Sequence, residues 1–449
     1  MEKQIQRIKE KSASIKRYDE DLVVFGADTH AYQLDEPIKF EVVINFEQDY
    51  KINLPEAYVA FLTQVGNGNP LEDAYMGSAA GPYYGIYPFG EGLEDLNTND
   101  VKKYISYPCL LQPDMTADQW SELTKESQDD TLSDEAYYAS IGTLFGGLLP
   151  IGTQGCGITT CLIVNGEFEG KIVYLNEDYQ PQFAHEPNFL AWYERWLDEI
   201  ISGDLVSEDA GWFGYAIGGS SEFLWDAYKN STNEKEQLIY LEGLLKKQKI
   251  SATIIQEIVD SITHATEPVA LSLLTLVAKI DFKQAIPFLE AQLEHNLLFV
   301  LQHIHWYGKK EAVGFLRFLE QYKDKIEEEE TYRFYSYVIT DIADDFAYLI
   351  LPGLASTQAS IRGQAIYTLG KIAHKQAYAS YFIAALEDTD ESVVLYALQA
   401  LSNIEDAQLI QAYKKVYHKY KDSDEENYIG VNLNHRLKEI GLTIADLQE

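Results

Sequence analysis

Four sets of residues have the types and spacing to do chemistry. Gly152, Gly155 and Gly157 form a glycine-rich run of the kind that cradles phosphate. His303 and His305 are a candidate chelating pair, and Asp422-Ser423-Asp424-Glu425-Glu426-Asn427 begins like a calcium loop. Cys156 and Cys161 are candidate nucleophiles. Each fails a physical requirement. A phosphate loop needs a helix N-terminus after its glycines, whereas Gly157 runs into the strand-like Cys161-Leu162-Ile163-Val164. Two histidines two apart on a helix point to different faces and cannot chelate together. The acidic string lacks the glycine at the sharp turn and the bidentate Glu that closes a calcium loop. Neither cysteine has a histidine or basic residue beside it, so both are expected to be buried, inert thiols. Carboxylates are too numerous for any pair to stand out. The expectation is a chain with no catalytic residue, no cofactor and no metal site, hence not an enzyme.

What remains is recognition chemistry. The chain has 32 tyrosines, and tyrosine offers a rigid contact area with a hydrogen-bonding tip. Tyr83, Tyr84 and Tyr87 stand in a glycine-bounded loop, Gly81-Pro82-Tyr83-Tyr84-Gly85-Ile86-Tyr87-Pro88-Phe89, and either present such area or pack the loop onto its own domain. From Glu91 to Glu135 acids outnumber lysines heavily. Glu91, Glu94, Asp95, Asp129 and Asp130 from this run are, with the three tyrosines, the candidate partner-binding residues. The plain alternative is a solvated polar insertion.

Charge narrows the partner. With 35 basic and 71 acidic residues, the formal net charge is −36. Nucleic acid and anionic lipid would be repelled, and a basic protein attracted. Residues 1–205 carry 13 basic and 35 acidic residues, a net of −22. Three cysteines form no disulfide framework. The opening residues lack the apolar core of a secretory signal, and no run of about 20 apolar residues spans a membrane. The expected location is the cytoplasm.

The elements that must position these groups are partly legible. Lys3 to Arg17 reads as a basic helix, partly docked or frayed. Ile38, Phe40, Val42, Ile44 and Phe46 alternate with mostly polar residues, which predicts a half-buried strand. Pro55 suits a first helical position, and Tyr58, Phe61, Leu62 and Val65 form one apolar stripe. Gly66-Asn67-Gly68 is expected to end that helix through positive φ. Asn188 caps a closing helix whose Phe189, Trp192, Tyr193, Trp196, Leu197 and Ile200 share a face, with both tryptophans read as core. Glycines and aromatics crowd residues 201–221, which are expected to pack between domains rather than flex. Ser231 and Glu234 read as a capping box.

In order, Leu54-Pro55-Glu56 with Val65-Gly66-Asn67-Gly68, the Gly81–Phe89 loop, Leu149–Gly157 with its strand, and Asn188–Leu197 resemble the SUKH superfamily over roughly the first 200 residues. Farther on, Lys279-Ile280-Asp281-Phe282-Lys283-Gln284-Ala285 is echoed 92 residues later by Lys371-Ile372-Ala373-His374-Lys375-Gln376-Ala377, and Asn403–Ala407 follows 32 beyond that. Ile361, Ala365, Ile366 and Leu369 match Val393, Ala397, Leu398 and Leu401 at an offset of 32. A period near 31, with small residues where helices touch, resembles short HEAT repeats, although Val394 replaces the usual arginine and Ser402 the usual glycine. The expected architecture is an α+β SUKH-like domain with an open sheet and packed helices (1–205), a connecting segment (206–230) and an all-α HEAT-like solenoid (231–449). The first resemblance implies an immunity protein that neutralises a cognate toxin, and the charge suggests a basic nuclease whose active site it would occlude. The alternative is a regulatory scaffold with several cellular partners. Oligomeric state is left open.

Overall fold

The computed structural model describes residues 1–68, 78–96, 99–129, 131–176, 179–207, 210–342, 345–421 and 428–447. The acidic string 422–427 and Asp130 lie outside the described residues. Two compact units emerge, Met1–Gln256 and Glu257–Glu449.

The first unit is organised by a four-stranded antiparallel sheet in sequential order, β1 (Leu148–Gly155), β2 (Ile158–Ile163), β3 (Ile172–Asn176) and β4 (Tyr179–Phe183). The glycine run turns the first hairpin: Cys156 (φ 49°) and Gly157 (φ 76°) supply the two left-handed residues of a tight turn. No helix follows the glycines, as expected. Side chains alternate along the strands, so the sheet has two apolar faces. Leu149, Ile151, Leu162, Ile172 and Tyr174 face one core; Leu148, Cys161, Ile163, Val173 and Leu175 face another.

Over the first face lies the closing helix, Phe189–Ile201, capped by Asn188, whose Oδ1 accepts from the Ala191 amide at 3.0 Å. Phe189, Trp192, Tyr193, Trp196, Leu197 and Ile200 are all buried, so the tryptophans are core. The indole Nε1 of Trp192 donates to the Tyr174 hydroxyl at 2.8 Å. The N-terminal helix, Glu2–Ser14, docks here by one face: Ile5 and Ile8 are buried, and Arg7 and Lys11 grip Glu194 at 2.7 and 2.8 Å. Burial pushes Glu194 up, but those two cations outweigh it and bring its pKa down to about 2.

Four expectations are corrected. Residues 40–50 form a helix, Phe40–Tyr50, not a strand. The alternating pattern also contains Val43, Phe46 and Tyr50 at helical spacing, and these pack on the core while Phe40 and Val42 stay exposed. Gly66 and Gly68 do not adopt positive φ. Gly66 is small because a Cβ there would stand 2.9 Å from the Asp35 carbonyl and from Leu34. The cap of helix Glu234–Leu245 is Asn233, which accepts from the Glu236 amide at 3.3 Å, and Ser231 instead donates to the Glu236 carboxylate at 2.7 Å. Cys156 is exposed in its turn, while Cys161 is buried and its thiol pushed up by burial.

The acid-rich insertion is more than a solvated surface. Its residues Leu111 and Trp120 are buried against the second face of the sheet, and the helix that follows, Asp134–Leu144, adds Ile141 and Leu144. Residues 206–230 belong to the first unit, where Phe213 is buried and Tyr215 stacks on Tyr174 at 5.0 Å.

The second unit is all-helical among its described residues. Helices Glu267–Ile280, Leu297–Tyr307, Glu329–Ile342, Ala359–Leu369, Glu391–Ala400 and Tyr428–Glu439 each pack on the next. The first five start at 267, 297, 329, 359 and 391, intervals of 30, 32, 30 and 32. That spacing matches the period near 31. Ala365 and Ala397 are fully buried where two of these helices meet. A Cβ on Gly370 would come within 2.9 Å of the Ala400 Cβ, so close approach explains that glycine. Arg362 clamps Asp388 with two hydrogen bonds of 2.7 and 2.8 Å, tying one helix to the loop before the next. His303 and His305 do not converge: His303 Nδ1 meets the Phe299 carbonyl at 2.6 Å, while His305 lies 3.5 Å from Asp341.

Candidate protein-binding surface

The tyrosine loop leads to a surface groove in the first unit. Residues Ala79 to Ile86 close on themselves through two backbone hydrogen bonds, Ala79 N to Ile86 O at 2.8 Å and the reciprocal bond at 2.9 Å. Between them Tyr83 is held at φ 60°, a strained value for a bulky residue. Its hydroxyl donates to the Phe213 carbonyl at 2.6 Å. Burial drives its pKa far above the ordinary tyrosine value, so the phenol remains protonated and a donor.

Above Tyr83 lies an aromatic cluster that water reaches. Phe25 sits 6.1 Å from Tyr83, 5.3 Å from Tyr84 and 5.5 Å from Trp212 between ring centroids, and Trp212 is 5.5 Å from Tyr83. Phe25 is 50% exposed, Trp212 55% and Val23 44%. These side chains, with Val24, Trp196, Leu205 and Phe213, line a groove of about 280 Å³. Exposed apolar area gathered in a concave site is the signature of a contact surface.

The protein braces this surface from beneath. Asp19 is buried and its carboxylate accepts from the Val23 and Val24 amides at 2.8 and 3.1 Å and from the Tyr32 hydroxyl at 2.5 Å. Gly26 (φ 77°) lets residues 19–28, the strap over the groove floor, lie on the Tyr83–Tyr84 backbone; a Cβ there would stand 2.9 Å from the Tyr84 amide. Glu20, Asp21 and Asp28 are exposed on the same strap. The groove lining is apolar, and these three exposed acids stand within three positions of Val23 or Phe25 in the chain.

Of the candidate residues read from sequence, the structure brings Tyr83 to this groove, while Tyr84, half-buried, touches Phe25 but does not line the groove. Tyr87 is buried and hydrogen-bonds Asp95, so it supports rather than presents. Glu91 and Asp129 are exposed; Asp129 accepts from the Thr131 amide and hydroxyl at 2.9 and 2.6 Å. Neither Glu91, Asp95 nor Asp129 lines the groove. Glu94 lies in a short 3₁₀ helix, Glu91–Leu96, and its side chain, like Asp130, is outside what is described. Phe25, Val23 and Trp212 were not singled out in sequence as contact residues. The signal for Val23 and Phe25 was the apolar run Leu22-Val23-Val24-Phe25 directly after Asp19-Glu20-Asp21.

Among the described residues no group of His, Cys, Asp and Glu has a metal-holding arrangement, and no helix is long and apolar enough to cross a membrane.

Residues 37–195, roughly a third of the chain, match the model of the SMI1/KNR4 family (SUKH-1). No curated protein matches the chain. Among solved structures, the crystal structure of an engineered protein from the Northeast Structural Genomics Consortium is 16% identical and covers 49% of this chain and 96% of that chain. Its TM-score of 0.23 is too low to bear on the fold.

Proposed function

From the SMI1/KNR4 (SUKH-1) domain at residues 37–195, a family that includes toxin immunity proteins and cell-wall regulators, we propose that this chain is an immunity protein that binds and neutralises a cognate toxin. The observation that carries the reading is the groove of Val23, Phe25 and Trp212 over a strained, hydrogen-bonded Tyr83. A rigid aromatic patch with exposed acids close by in the chain suits a basic partner that also offers apolar side chains. A net charge of −36 supports a cationic toxin, such as a nuclease, whose encounter would be accelerated by long-range attraction. In this reading Glu91, Asp95 and Asp129 act at a distance, steering rather than anchoring. Nuclease–immunity pairs reach very tight affinities, as the colicin pairs illustrate.

The test is co-expression with candidate toxins drawn from the same genome, read as rescue of growth and as affinity. Trp212→Ala should weaken the complex by roughly 2 kcal/mol, about thirtyfold, because exposed aromatic anchors carry such energies. Circular dichroism should not change, since Trp212 is half outside the fold already. Undiminished affinity for both Trp212→Ala and Phe25→Ala would remove the groove from the account.

A second reading is a regulatory scaffold. It is favoured by the second unit, a HEAT-like array in this view, where Trp306, Tyr348 and Tyr367 are exposed on three different helices. Several partners of moderate affinity, released as salt rises, would select it.

A further inference from the structure

Four helices of the second unit lie side by side in order: Leu297–Tyr307, Glu329–Ile342, Ala359–Leu369 and Glu391–Ala400. His305, Tyr337 and Tyr367 each come eight positions after the start of their helix, at 297, 329 and 359, so they occupy the same turn of three neighbours. Phe334 and Tyr396 come five positions after their starts at 329 and 391, one turn earlier. The rings meet across helix boundaries. His305 is 5.2 Å from Tyr337 and 5.9 Å from Phe334 between centroids, Trp306 is 5.7 Å from Phe334, and Tyr367 is 5.6 Å from Tyr396. Trp306 is 51% exposed and Tyr367 39%, with the other rings half-buried.

The charges along this aromatic face answer one another. Asp341 lies 3.8 Å from Lys309 and 3.5 Å from His305, Arg333 lies 3.6 Å from Glu330, and Lys371 sits 4.1 Å over the Tyr367 ring. These groups are three cations and two carboxylates, in a chain whose net charge is −36. A basic ligand finds no excess of carboxylate among them, and an acidic ligand finds cations already engaged. An uncharged ligand complements the face best.

Spacing narrows the ligand further. Packed helix axes stand about 8–10 Å apart. A β-strand repeats one face about every 6.7 Å and an α-helix turns every 5.4 Å or so, and neither keeps step with the array. A polyproline II helix turns once in three residues and about 9 Å, which does. Its carbonyls need donors, which the hydroxyls of Tyr337, Tyr367 and Tyr396 can supply, and proline leaves no N–H to satisfy. We infer that this face binds a neutral, proline-rich segment of another protein in the polyproline II conformation, one turn of the ligand to each helix. About ten residues cross the four helices. The inference goes beyond the toxin-binding reading and uses no residue of the first unit, so either can fail alone.

Fluorescence anisotropy on the full chain tests it, with fluorescein-labelled decaproline as the probe. A glycine–serine decamer with the same label is equally neutral but flexible. Decaproline should bind saturably with Kd below about 1 mM, and the glycine–serine peptide at least about tenfold more weakly. Raising salt from about 50 to about 500 mM should change Kd by less than about twofold, because no ion pair forms. Trp306→Ala and Tyr367→Ala should each weaken binding by at least about fivefold. Tyr381→Ala, exposed on helix Ala379–Ala385 outside these rows, should leave it unchanged. If Trp306→Ala does not fold, Tyr367→Glu, which sets a charge in the row, should give the same loss. Absence of saturable decaproline binding, equal binding of the glycine–serine peptide, or a Kd unmoved by the Trp306 and Tyr367 variants would overturn the inference. So would tighter binding of a lysine–serine or glutamate–serine decamer, which would identify a charged partner instead.

Discussion

Lowering the pH from 7 to 5 should weaken the first unit through a single residue, His30. Its ring is completely buried, 5.4 Å from Tyr32 and 5.9 Å from Trp196 between centroids. Nδ1 accepts from the Tyr32 amide at 3.1 Å, so the neutral ring carries its proton on Nε2. Burial disfavours the imidazolium. The Gly81 backbone and the charges of Asp28 and Asp19 offset this only in part, and the pKa falls from 6.5 to about 4. Between those values the unfolded chain binds a proton that the folded chain refuses. Stability is therefore complete above about pH 6.5 and is lost as pH falls toward 4. The full loss is about 3 kcal/mol, of which about 2 kcal/mol falls between pH 7 and 5. Urea unfolding followed by tryptophan fluorescence reads this unit, because five of the six tryptophans lie in it. The comparison is His30→Asn, whose Oδ1 can still accept from Tyr32 but which cannot titrate. That variant starts weaker because it leaves space in the core, yet its pH dependence should be shallower by about 2 kcal/mol. Carboxylate titration is common to both proteins and cancels. Parallel pH profiles, within about 0.5 kcal/mol, would refute the reasoning and return a charged or solvated His30.

Tyr83→Phe should cost about 1–2 kcal/mol, since it leaves the Phe213 carbonyl without its donor while keeping the ring; chemical denaturation measures it, and loss of partner affinity with unchanged stability would contradict a bracing role. Arg195→Met should destabilise by about 3–5 kcal/mol, because Glu186 and Glu199 would both lose their buried partner. A loss below about 1 kcal/mol in the urea midpoint would mean that water reaches those carboxylates.

The sequence alone determined a good part of this protein. The closing helix was legible because Asn188 marks its start and six large apolar residues keep helical spacing, a pattern that local geometry enforces wherever the helix is placed. The helical array was legible for a similar reason: each repeat buries its face on the next, so spacing near 31 is written into the chain. Other features were decided only in three dimensions. Residues 40–50 carry both a period-2 and a helical pattern, and the choice fell to Val43, Phe46 and Tyr50 packing on the core. The acid-rich insertion turned out to help cover the second sheet face, since Leu111 and Trp120 find their partners on strands that come later in the chain. The groove depends on Phe25, Tyr83 and Trp212, separated by 58 and then 129 positions. Local patterns report what a segment buries; which distant segments share a surface is settled by packing.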